Sequence, residues 1–202
     1  GKRPGEVLHG PATSQAALDA INAACDADKP FNGEILNYRK TGEPRWVQLD
    51  IQPLHDAAGK TTGYMALQLD ITERKRIQEE LARAEARFRA IFEAAPVGIS
   101  WVLPDDPATV IVNPEHVRVS GVSPEASREP GAFVRVTHPE DRVRQQELVE
   151  KFLRGETDHY FIEKRFLHPD GRVVWVAMTS RMVVDPVTGQ KQAVSTHVDI
   201  TD

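Results

Sequence analysis

Asp70-Ile71-Thr72 closes one run of alternating apolar residues, and Asp199-Ile200-Thr201 closes a second such run 129 positions further on. The same shift lays Gly42 on Gly171, Trp46 on Trp175, Val47 on Val176, Asp56 on Asp185, Glu34 on Glu163 and His9 on His138. The chain holds three tryptophans, so two of them at one offset, with a tripeptide and a turn glycine, mark an internal duplication. The second copy runs from about Phe88 to the end of the chain. Carried back by the shift, its start falls before Gly1, so the first copy is expected to be truncated at its N-terminus.

Working outward from each tripeptide, three strands precede it. In the first copy residues 31–40, 45–54 and 62–71 are separated by the turn-forming runs 41–43 and 56–59, which predicts an antiparallel meander. Val47, Leu49 and Ile51 alternate with Gln48, Asp50 and Gln52, the period of a half-buried strand. In the second copy the strands are 158–167, 172–184 and 190–200, and two more, 98–102 and 109–112, come earlier. Asn113-Pro114-Glu115 reads as a capped helix start, and a further helix begins at Pro139-Glu140-Asp141 with Val149, Phe152 and Leu153 as its apolar stripe. Two strands, short helices and three strands make an α+β order.

Between the copies, residues 73–94 form a helical pattern with Thr72 placed to cap it. Ile77, Leu81, Ala84, Phe88 and Ile91 recur at steps of four and three, the heptad seam of a coiled coil. Such a seam either packs on its own sheets or pairs with a second chain, and a homodimer through these five residues is the expected partner. The domain boundaries follow: 1–72 for the first copy, 73–94 for the helix, 95–202 for the second copy.

Composition narrows the function. The net charge is −5, and the basic residues are scattered, which argues against a nucleic-acid surface. No run approaches the ~20 apolar residues that span a bilayer, and no signal-peptide core opens the chain, so the segment is expected to be cytoplasmic with no membrane contact. The single cysteine, Cys25, lies in the apolar helix 16–24 and reads as a small packed hydrophobe rather than a redox sensor. Gly59-Lys60-Thr61 lacks the glycine and the following helix of a phosphate-binding loop. Asp105-Asp106 and Glu79-Glu80 fall in a loop and on a polar helix face, and no catalytic constellation emerges. The chain is therefore read as non-enzymatic, with any catalytic output domain outside it.

The order of these motifs resembles the PAS sensory family. The residues that carry the likeness are Asn113-Pro114, His138-Pro139-Glu140-Asp141, Asp170-Gly171 with Trp175, and Asp199-Ile200-Thr201 in the second copy. In the first they are Tyr38-Arg39-Lys40, Gly42, Trp46 and Asp70-Ile71-Thr72-Glu73-Arg74. The resemblance implies two PAS domains. Each would be a five-stranded antiparallel sheet with small helices on one face, joined by a long helix, with a ligand pocket between sheet and helices. It also implies signal output through the flanking helices to a histidine kinase or diguanylate cyclase.

The first copy is similar to the flavin-binding light-oxygen-voltage branch at Leu8-His9-Gly10-Pro11, Leu36-Asn37-Tyr38-Arg39-Lys40 and Gln68, but it departs from that branch where photochemistry needs it. Arg3-Pro4-Gly5-Glu6 stands where the adduct cysteine belongs, and Val47 replaces a second contacting asparagine. These departures argue against a flavin, and a turn role for His138 argues against haem. No cofactor is required, and its identity is open. By the sheet orientation the resemblance implies, Asn37, Val47, Leu49 and Gln68 line the first pocket and Trp46, Met65, Leu67 and Leu69 face outward. Phe166, Val176, Met178, Ser195 and His197 line the second, with Trp175, Val194, Thr196 and Val198 outside. His197 is either a ligand contact that titrates near neutrality or a hydrogen-bonded core histidine. Two functions from different classes remain: a sensor of a small ligand or partner, and a dimerisation scaffold whose pockets are filled by large side chains such as Phe166 and Met178. A flavin- or haem-bearing redox sensor is a third.

Overall fold

Residues 8–201 are described in a computed structural model, which divides into two compact units, Gly1–Glu85 and Ala86–Asp202. The division falls inside the helix between the copies rather than at either of its ends. Among the described residues no helix is long and apolar enough to cross a membrane.

In the first unit Ser14 caps α1 (Gln15–Asp26), its hydroxyl accepting the Ala17 amide. Three strands follow, β1 (Phe31–Tyr38), β2 (Pro44–His55) and β3 (Thr61–Asp70), paired antiparallel in the order β1-β2-β3. Their two-residue period puts Ile35, Val47, Leu49 and Ile51 on one face, and α1 lays Ala17, Leu18, Ile21 and Cys25 against them. The helix α2 (Thr72–Ala94) continues from β3. Its seam residues Ile77, Leu81, Phe88 and Ile91 are all exposed, and Glu73–Arg76 and Glu79–Arg83 pair along its polar faces.

The second unit has β4 (Gly98–Leu103) and β5 (Asp106–Val112), then α3 (Pro114–Ser120), α4 (Pro124–Ser127), α5 (Ala132–Val136) and α6 (Pro139–Leu153). The strands β6 (His159–Leu167), β7 (Val173–Val184) and β8 (Lys191–Asp199) complete an antiparallel sheet of order β5-β4-β8-β7-β6. The five-stranded expectation is thus met in this unit, while the first shows three strands among its described residues. Asp106 opens β5 rather than lying in a loop, and Leu153, placed in the apolar stripe of α6, is exposed where its neighbour Phe152 is buried. The helices α4 and α5 went unforeseen because four and five residues are too few to show a helical period.

The duplication is present in the hydrogen-bond ladder itself. Phe31 pairs with Ile51 and Val47 with Asp70, and the shifted pairs Tyr160–Ser180 and Val176–Asp199 occur in the second sheet. The tripeptide does the same work twice. Ile71 donates its amide to the Trp46 carbonyl at 2.9 Å, and Ile200 does so to Trp175 at 2.9 Å. The Thr72 hydroxyl accepts the Trp46 amide at 3.1 Å, as Thr201 accepts that of Trp175 at 3.1 Å. Each aspartate accepts the amide of its threonine, Asp70 at 3.0 Å and Asp199 at 3.2 Å. Bonds from their threonines hold both carboxyls below the ordinary aspartate range. This corrects the expected cap. Thr72 is the first helical residue, and its hydroxyl is taken by the neighbouring strand, so Asp70 supplies the acceptor for the exposed amide.

Candidate functional site

The inward faces of β4, β6, β7 and β8 and the helices opposite them enclose a cavity of about 410 Å³. Alternation decides what reaches it. Along β6, Tyr160, Ile162, Lys164 and Phe166 are buried while His159, Phe161 and Glu163 are exposed. Met178 and Ser180 on β7 and Ala193, Ser195 and His197 on β8 share the inward side. Apolar walls come from Val102, Val110, Phe133, Phe152 and Met178, and the polar groups among them are few.

Asn113 fixes one end of this cup. Its carboxamide oxygen accepts the Ile99 amide at 2.7 Å and the His116 amide at 2.9 Å, while its nitrogen donates to the carbonyls of Phe92 (3.0 Å) and Val97 (2.9 Å). The side chain thereby caps α3, aligns β4 and ties down the last turn of α2. Gly98 lets the backbone approach closely beside it: a Cβ there would lie 3.0 Å from the His116 Cα and 3.1 Å from the His197 Cβ, tighter than ordinary packing. The two imidazoles meet edge to face, their centroids 4.5 Å apart. His116 hydrogen-bonds the Ser120 hydroxyl at 3.2 Å and His197 that of Ser100 at 3.3 Å, leaving His116 Nε2 and His197 Nδ1 buried without a partner. Burial, with the Lys164 amine nearby, pushes His116 down to about 4. Burial together with His116 and Lys164 drives His197 well below its ordinary value. Both rings are neutral at pH 7.

Lys164 is the least expected group. It is 1% exposed, its Nζ donates to Gln145 Oε1 at 3.0 Å and to the Thr137 hydroxyl at 3.4 Å, and it sits 4.5 Å from the centre of the Phe166 ring. Thr137 is held in place by a bridge to Phe166 and by the amide of His138 donating to the Arg165 carbonyl. His138 opens α6, its Nδ1 accepting the Glu140 amide, which is the turn role expected of it. Across the pleat, Arg165 grips Asp141 through three bonds of 2.8 to 3.0 Å and keeps that carboxyl below its usual range. Burial holds the Lys164 amine down to about 7 against the pull of Asp141.

The residues chosen from sequence divide between three places. Met178, Ser195 and His197 stand on the cavity wall. Phe166 and Val176 are buried but pack instead with Val119 and Val174 beside it. In the first unit Asn37, Val47 and Leu49 are buried on the face that α1 covers, with Asn37 Oδ1 unpartnered. Gln68, opposite Leu49, is exposed, because α1 packs its apolar residues on β1 and β2 and meets β3 near its start, where the Tyr64 hydroxyl donates to the Cys25 carbonyl at 2.8 Å. Met65, Leu67 and Leu69 on the other face of β3 are exposed, as are Trp175 and Val198 on the outer face of the second sheet. Cys25 is partly buried in the α1 packing. The stretch Arg3-Pro4-Gly5-Glu6 lies outside the described residues. Lys164, Gln145, Tyr160, Ser180 and Ser100 were missed. The signal for Lys164 was available in its parity, since it alternates with Ile162 and Phe166 on the inward side of β6.

A sheet of this order, with a cavity under its inward face and an Asp-Ile-Thr clamp at its exit, defines a PAS sensory domain. The sequence pattern of the PAS fold matches residues 109–197 and that of the PAS domain matches residues 1–73. The chain belongs to the PAS family and contains its domain twice. It is 28% identical over 207 residues to a blue-light-activated histidine kinase of Brucella canis, covering 92% of this chain and 42% of that protein. The chain thus spans about two fifths of the length of the curated relatives it matches. A light-oxygen-voltage domain solved in a study of a flavin analogue is 28% identical and covers 42% of this chain and 62% of its own, with a TM-score of 0.35. A PAS domain from Colwellia psychrerythraea, 18% identical, covers 58% of this chain and 98% of its own at a TM-score of 0.47. Relatives activated by blue light give no support to the expectation against a flavin, which rested on the missing cysteine and on Val47.

Proposed function

We propose that this segment is the cytoplasmic sensory region of a signalling protein, reading a small ligand in the second unit and passing the result along α2 to an output domain outside it. The cavity beside the Asn113 junction carries the reading, since one side chain bonds both the cup and the last turn of α2. An occupant that favours one cup geometry shifts the population of helix positions, and one that binds both geometries equally shifts nothing. The kinship with histidine kinases favours that output over a diguanylate cyclase, and the segment itself is proposed to be non-enzymatic. The exposed seam of α2 supports a homodimer through Ile77, Leu81, Ala84, Phe88 and Ile91. Glutamate at both Leu81 and Phe88 is expected to convert the dimer to monomer in sedimentation; unchanged sedimentation refutes the seam.

Substituting Ser195→Leu puts a permanent occupant into the cavity. Hydrogen exchange of residues 72–94 is expected to change severalfold in this variant, and exchange that changes only at the cavity wall overturns the sensory reading. A flavin in the first unit is a second reading, favoured by the buried, unpartnered Asn37 Oδ1 and by the blue-light kinship. A visible absorption band in the purified protein, lost in Asn37→Leu, is its test.

A further inference from the structure

Lys164 is a buried amine with no carboxylate bonded to it among the described residues. Among the described residues it makes no ion pair, and its two partners, Gln145 and Thr137, are neutral. The acid whose charge acts on it, Asp141, is already committed to Arg165, which also bonds Glu140 at 2.8 Å. Glu129, the acidic residue on the cavity wall, is paired with Arg135 at 2.8 Å. The sheet register does not call for a lysine at this place. By the 129-residue shift its place in the first unit is held by Ile35, also 1% exposed, in a strand of the same register. The neighbouring polar groups follow suit: Tyr160, Ser180 and Ser195 answer to Phe31, Ile51 and Ala66. One sheet frame therefore carries apolar residues at these positions in one copy, and in the other an amine and a set of hydroxyls facing an open volume. A buried charge with no counter-ion is costly, and an apolar residue of similar size at such a position is often neutral or stabilising.

We propose that the cavity of the second unit takes a small monocarboxylate with an apolar body, its carboxylate held by Lys164 Nζ and its body against Val102, Val110, Phe152 and Met178. This deepens the sensory reading above and rests on it. The volume suits a small-molecule ligand, and the pattern of apolar walls around a few convergent donors is that of a ligand site. A charge-assisted bond to the carboxylate replaces the solvation that Lys164 has lost.

Binding is then linked to protons. The groups that act on Lys164 are Gln145 and Asp141 on α6, Thr137 before it, His116 on α3 and His197 on β8; Glu129 shares the cavity wall, and Arg165 follows on β6 with its side chain across the pleat. Of these, Asp141 and Glu129 are paired, and His116 and His197 are held neutral. Lys164 is thus the group that titrates near neutrality, at about 7. A bound carboxylate favours its charged form, so affinity is flat below that pH. Above it, affinity falls up to about tenfold per pH unit as binding draws a proton from solvent.

The test uses the purified chain, isothermal titration calorimetry, and octanoate and 3-phenylpropionate as probes, with octanol and 3-phenylpropanol as neutral controls, from pH 6 to 9. At least one acid is expected to bind more tightly than its alcohol, with the stated pH profile, and Lys164→Met is expected to weaken it at least tenfold without affecting the alcohol. Circular dichroism verifies the fold of the variant, and the wild-type pH profile stands as an independent measurement should it fail. Equal affinity for acid and alcohol, undiminished binding by the variant, or no binding of either acid overturns the proposal. These outcomes separate from the sensory reading. If Ser195→Leu alters exchange in α2 while no acid binds, the sensor stands and the carboxylate fails. If acid binds through Lys164 with exchange in α2 unmoved, the site stands and the sensor fails.

Discussion

The strands of the first unit and the last three of the second share a register, a turn pattern and a clamp, yet enclose different interiors. On β1 and β2, Ile35, Val47, Leu49 and Ile51 receive α1 and form an apolar layer with Asn37 buried at its end. On β6, β7 and β8 the equivalent side carries Lys164, Ser180, Ser195 and His197 around an open volume. Backbone pairing tolerates both, because the ladder fixes which way a residue points and leaves open what it carries. A duplicated sheet can therefore keep its closing clamp while its inner face is rewritten residue by residue.

The largest test of this contrast is Asn113→Ala, since the shift carries position 113 ahead of Gly1 and the first unit has no described counterpart. Four backbone groups lose a buried partner, and a loss of about 4 kcal/mol is expected in the second unit alone. Urea denaturation followed by peptide-resolved hydrogen exchange reads it, and an equal loss in the first unit would show that the two do not unfold independently. Next comes Lys164→Met, which is expected to stabilise the second unit by about 1–3 kcal/mol at pH 6. The folded-state value of about 7 lies below the ordinary 10.5, so the unfolded chain binds more protons between them, and wild-type stability rises with pH across that window. Urea midpoints at pH 6, 8 and 9 should therefore show the advantage of the variant shrinking upward. Smallest is the clamp. Thr72→Val and Thr201→Val each free a tryptophan amide at the cost of about 1 kcal/mol, and losses equal in the two units are expected in the same denaturation experiment.

Strand order, turns and the duplication were legible because each rests on local period and spacing. The glycine turns at Gly42 and Gly171, both with positive φ, needed no tertiary information. The site was only half legible. Met178, Ser195 and His197 follow from parity, but whether an inward residue meets a cavity or a neighbouring side chain depends on the helix opposite, and so Phe166 and Val176 were misplaced. Gln68 shows the same limit in reverse, since its face was right and its cover was not. Lys164 escaped because a charged residue in a strand is ordinarily read as solvated, a habit that its flanking exposed neighbours encouraged.

Asn113 also constrains how the second unit comes apart. Because one carboxamide binds Phe92, Val97, Ile99 and His116 together, the end of α2 cannot fray without releasing the start of β4 and the first turn of α3. Those segments are expected to open together, with one opening free energy in amide hydrogen exchange in place of a gradient of loosening from the helix tip.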